Sequence, residues 1–163
     1  MDIPIKLNIT FLLVLPLFAW LIGADIANLV PVVESAFGVE LGVDALTGGN
    51  RPWILGTASA LGLFAGILLH ELGHSVVAMH YGYEIDSITL WLFGGVAQFT
   101  EIPEDWRQEF AISIAGPVVS VAIGVGLAVV FLLFPTGVDA VRFVVGYLAI
   151  LNVVLAVFNM LPG

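Results

Sequence analysis

The sequence predicts an all-α polytopic membrane protein: about four transmembrane helices, with a short β-hairpin between the second and third. Three observations predict it. Charged residues make up only 10% of the 163 and apolar types 60%, whereas a soluble domain carries roughly 25% charged residues. The apolar residues are gathered into four runs, each near the length that crosses a ~30 Å hydrocarbon core. Between the second and third runs two short segments rich in β-branched and aromatic residues flank Gly94-Gly95, a hairpin signal.

The first run covers residues 9–33 and is interrupted by Pro16 and Asp25. It is read as a retained helix rather than a cleaved leader, because it continues past Gly23-Ala24 and Asp2 offsets Lys6. Residues 34–52 form an acidic loop with turn chemistry, including Glu34, Glu40, Asp44, Gly48-Gly49-Asn50 and Pro52. The second run covers residues 53–79. Residues 84–100 then read as strand, Gly94-Gly95 turn, strand, and residues 101–109 as a polar membrane-surface loop. The third run, 110–134, has no charge. Its Gly116, Ser120 and Gly124 make a small-residue stripe suited to close helix packing. Gly116-Pro117 is expected to bend this helix or loosen its start. The fourth run covers residues 143–159, with a start as early as 138.

Charge and residue usage exclude several functions. The net charge is -9, from four Lys/Arg and thirteen Asp/Glu, so nucleic acid is not an expected partner, because phosphate contacts need clustered cations. There is no cysteine, so disulfides are excluded and any metal must be held by His, Asp or Glu. Lys6, Arg51, Arg107 and Arg142 fall one to each external segment, so the positive-inside rule does not orient the chain.

The chemistry sits late in the second run. His70-Glu71-Leu72-Gly73-His74 is HExxH. On a helix, residues i and i+4 share a face, so His70 and His74 are candidate ligands of one tetrahedral Zn²⁺. Glu71 is the candidate catalytic base, placed to take a proton from a water on the metal. These three are the only ionisable residues between Arg51 and His80, and an ionisable residue within a membrane span is costly enough to be read as functional. His80, six residues past His74, falls on a different face and is read as a surface histidine. The fourth run ends in Asn159-Met160-Leu161-Pro162-Gly163, where Pro and Gly should unwind the helix. If each run crosses once, runs two and four are parallel, which brings Asn159 and the histidines toward the same membrane face.

Together, HELGH in an apolar helix, Phe93-Gly94-Gly95-Val96-Ala97, Ala115-Gly116-Pro117 and Asn159-Met160-Leu161-Pro162-Gly163 resemble the site-2 protease family, peptidase family M50. The opening Ile3-Pro4-Ile5-Lys6-Leu7 is similar as well, so the resemblance covers nearly the whole chain. It implies an intramembrane metalloendopeptidase of the cell membrane, multi-pass, acting on membrane-spanning protein substrates. It implies His70 and His74 as zinc ligands, Glu71 as base, and Asn159 as stabiliser of the oxyanion on the scissile carbonyl. The hairpin's edge would pair with an unwound substrate. The resemblance also places a third zinc ligand, an Asp, eight residues after Asn159 and so beyond Gly163. Residues 1–163 are accordingly expected to be a membrane-embedded metalloprotease core that is incomplete at its C-terminus and short of one ligand. Two other readings remain open: a membrane zinc protease of another HExxH family, whose third ligand is a distant Glu, and a non-catalytic pseudoprotease or membrane scaffold, which the intact Glu71 argues against.

Overall fold

Three long helices carry the fold: α4 (Arg51–His80), α5 (Trp106–Leu133) and α6 (Asp139–Asn159). Each is long and apolar enough to cross a membrane. The structure, a computed structural model, describes residues 5–7, 9–91, 94–99 and 105–161. Before α4 come a short strand β1 (Ile5–Leu7), α1 (Phe11–Ala24), α2 (Ile26–Phe37) and a single turn α3 (Val43–Thr47). Between α4 and α5 lie β2 (Ile85–Trp91) and β3 (Gly94–Phe99). The protein is thus a helical membrane protein with a small sheet, as its composition predicts.

The first apolar run differs from a straight span. It breaks at Asp25 into α1 and α2, which are bent by 76°. Asp25 has left the helical conformation (φ -106°, ψ 10°), and its Oδ1 accepts a 2.6 Å hydrogen bond from Asn28 Nδ2. That bond ties Asp25 to the Asn28 side chain across the first turn of α2. Gly38, at φ 64°, ends α2 in the left-handed region, which glycine enters without a Cβ clash.

Three further details depart from the sequence pattern. The sheet has a third strand: β1 pairs in parallel with β2, Ile5 opposite Ile88, giving the order β1-β2-β3. The hairpin does not turn at Gly94-Gly95. Trp91 pairs with Gly94 and Leu90 with Gly95, so both glycines belong to β3. The loop expected over 101–109 gives way at Trp106, where α5 starts behind an Asp105 N-cap that accepts from Arg107 N at 2.9 Å. Moreover, α5 continues through Pro117 as one helix. Phe93, Pro162, Gly163 and the opening Ile3-Pro4 lie outside the described residues.

The long helices alternate in direction. Gly62 and Gly66 of α4 face Leu148 and Asn152 of α6, so α4 and α6 run parallel. Gly73 of α4 faces Ala115 and Val119 of α5, and Gly124 of α5 faces Ala149 and Val153 of α6. In lipid there is no hydrophobic drive between helices, so close packing through small residues is what holds them. At one end of the bundle Ile26, Val30, Val33, Leu46, Leu55, Phe131 and Phe143 form the principal core. Leu61, Val121, Val125, Leu132 and Val154 are exposed on the outside, as a lipid-facing surface requires. The other end of the bundle, beside the sheet, holds the histidines.

Candidate metal centre

The i, i+4 spacing on α4 brings the two imidazoles together, with His70 Nε2 and His74 Nε2 3.0 Å apart. The other nitrogen of each ring is held by α5. His74 Nδ1 lies 2.7 Å from the Ile112 carbonyl oxygen, and His70 Nδ1 lies 2.9 Å from Ser120 Oγ. A carbonyl only accepts, so His74 Nδ1 carries the proton and its Nε2 is a bare lone pair. Ser120 Oγ can either donate or accept; when it accepts from His70 Nδ1, both Nε2 lone pairs face one space. At 3.0 Å the two Nε2 atoms can share one proton in a hydrogen bond or, with both rings protonated on Nδ1, turn two lone pairs to a cation. A tetrahedral zinc with Zn–N of ~2.0–2.1 Å needs about 3.3 Å between its nitrogens, a few tenths of an ångström from the spacing seen. The residues therefore fit a metal ion, and the hydrogen-bonded Nδ1 atoms are the orientation that metal-ligating histidines require.

Gly116 makes the space. A Cβ on this residue would stand 2.7 Å from His70 Nε2 and closer still to His74 Nε2. His70 is 1% exposed and Gly116 is buried, so no other atom can give way easily. The Asn159 side chain, at the end of α6, reaches the His70 imidazole, while its Nδ2 donates to Leu155 O at 2.8 Å. One of its two amide hydrogens is thereby used and the other remains. Glu71 is half-buried between the two histidines in sequence, and its carbonyl accepts from Ser75 Oγ at 2.9 Å.

The structure thus brings His70, His74 and Asn159 together and leaves His80 outside. His80 is the exposed last residue of α4, with its ring against Tyr81. Among the described residues no third His, Asp or Glu completes a metal-binding group. Ser120 and Gly116 belong to the site although their spacing pointed to helix packing alone. A hydroxyl within a glycine stripe, on the helix next to HExxH, was the available signal.

Comparison with known proteins agrees with this geometry. Residues 58–142, which are 85 of the 163, match the model of peptidase family M50. The chain belongs to peptidase family M50. Among its M50 relatives, a zinc metalloprotease of Methanocaldococcus jannaschii is 38% identical over 163 residues, covering 100% of this chain and 40% of that protein. A Synechocystis sp. protein, named as a candidate zinc metalloprotease, is 42% identical over 132 residues, covering 81% of this chain and 35% of that protein. The solved structure of the site-2 protease from Methanocaldococcus jannaschii superposes with a TM-score of 0.62 at 32% identity, over 100% of this chain and 62% of that one. The M50 chain described here therefore spans well under half the length of these two curated relatives.

Proposed function

We propose that this chain forms part of the catalytic core of a zinc-dependent intramembrane endopeptidase. It would reside in the cell membrane as a multi-pass protein and hydrolyse peptide bonds in membrane-spanning protein substrates. The observation that carries the reading is the pair of Nε2 atoms of His70 and His74 converging within the helical bundle, their Nδ1 partners fixed by α5.

When bound, zinc supplies a Lewis acid that makes hydroxide available near neutral pH and polarises a peptide carbonyl. The chain's own residues do the rest. His70 and His74 hold the ion. Glu71, the Glu of the HExxH pattern, accepts the proton of the attacking water and returns it to the leaving amine. Asn159 offers an amide N–H to the oxyanion, and such a donor is strongest in a water-poor site. Because an unwound peptide in lipid must satisfy its own N–H and C=O groups, the substrate gains from pairing with a strand. Among the described residues β3 is an edge strand of the order β1-β2-β3, and an edge strand is what such pairing uses.

Replacing Glu71 tests this directly. In the full-length protein, purified in detergent, Glu71→Gln should keep its zinc and lose cleavage of a membrane-spanning substrate by orders of magnitude. Cleavage at near wild-type rate would remove Glu71 as the base and, with it, the proposed mechanism.

A further inference from the structure

We infer that Asn152, seated on Gly66, is a positioning residue that sets the register between α4 and α6 and so places Asn159 against His70. The inference rests on the protease reading for its effect on turnover, although its geometry stands apart from it.

Asn152 is the one amide in the middle of an otherwise apolar stretch of α6, and it is 3% exposed. Its Nδ2 donates to Leu148 O, one turn back on its own helix, at 2.9 Å. That bond fixes the orientation of the amide. Its Oδ1 has no hydrogen-bond partner among the described residues and lies over Gly66, where a Cβ would come within 2.9 Å of it. One turn earlier Leu148 fits over Gly62 in the same way. Two residues of α6, i and i+4, thus sit in a G-x-x-x-G trough on α4.

Apolar helices in lipid can slide with little penalty, because one aliphatic contact resembles the next. A pinned amide cannot. Sliding α6 by one residue, about 1.5 Å, would move Oδ1 off the glycine and against a side chain, with the polar atom still unpaired. Fixing register is the best-attested use of a lone buried polar residue. Two turns on from Asn152 is Asn159, and one turn on from Gly66 is His70. The lock therefore lies next to the contact it controls, and a misplacement of about 1 Å at a reacting group can cost ~10²-fold in rate.

The test uses the full-length protein in detergent. The chain has no cysteine, so spin labels can be placed at Leu61→Cys on α4 and Val157→Cys on α6. Both positions are exposed, 53% and 56%, and they are well separated along the bundle axis, so a slide is read almost directly. Asn152→Val should shift the mean distance by about 1.5 Å or more, or broaden its distribution. It should also lower kcat at least tenfold, with zinc content and KM kept. Gly66→Ala, which pushes on the same amide, should do the same. Combining Gly66→Ala with Asn152→Ser, whose shorter side chain makes room for the added methyl, should restore both readouts. Distances unchanged in both single variants overturn the inference, and so does a fall in kcat without helix movement. If the wild-type protein cleaves no membrane-spanning substrate, the protease reading fails while the distances still decide the register.

Discussion

His74 Nδ1 and the carbonyl oxygen of Ile112 lie 2.7 Å apart, and this contact decides which nitrogen faces the metal site. An acceptor-only partner forces the proton onto Nδ1. The helix that follows the sheet thereby dictates the chemistry of the helix that precedes it.

Gly116 should be intolerant of any side chain. In Gly116→Ala the new methyl would occupy the space between the imidazoles, 2.7 Å from His70 Nε2. Zinc affinity should fall by at least about a hundredfold, beyond the 10–100-fold typical of losing a supporting hydrogen bond, with helix content retained by circular dichroism. Wild-type affinity in chelator competition would show that the metal does not lie between these nitrogens.

Ser120→Ala should be milder. It removes the partner of His70 Nδ1, 2.9 Å away, without touching the Nε2 atoms. Metal affinity should weaken about 10–100-fold, with cleavage recovered at high zinc. His80→Ala is the control and should bind zinc like the wild type, because His80 sits exposed at the end of α4.

Asn159→Ala should lower kcat by roughly 10²–10³-fold, the effect of losing one oxyanion donor, and change KM little. Single-turnover measurements separate the two. A change confined to KM would make Asn159 a substrate-docking residue.

Chelation should abolish cleavage and zinc should restore it, with the bundle intact throughout. Contacts away from the histidines hold α4, α5 and α6 without the metal: Gly62 of α4 packs against Leu148 of α6, and Gly124 of α5 against Ala149 and Val153 of α6. Helix content should therefore be the same before and after metal removal. A collapse on chelation would make the metal structural.

Much of this was legible in the residues, and the limits follow from distance along the chain. HExxH and the parallel course of α4 and α6 come from spacing within helices and from counting apolar runs, both local properties. The part played by Ser120 depends on a contact fifty residues away, which no periodicity encodes. The break at Asp25 was visible as an interruption, but its 76° bend is set by how α1 packs on α4 and α2 on α6. Strand β1 is three residues long, too short for a pattern, and its partner Ile88 lies far along the chain.

That short ladder also settles a question of parity. Strands can pair only when they lie on the same side of the bilayer, and Ile5 is paired with Ile88. Between them the chain must cross an even number of times. If α4, long and apolar enough to span, crosses once, then α1 and α2, despite their sharp bend, together supply one more crossing and not two or none. Three residues of backbone pairing thus fix the count for the bent pair, where length and hydropathy leave it between zero and one.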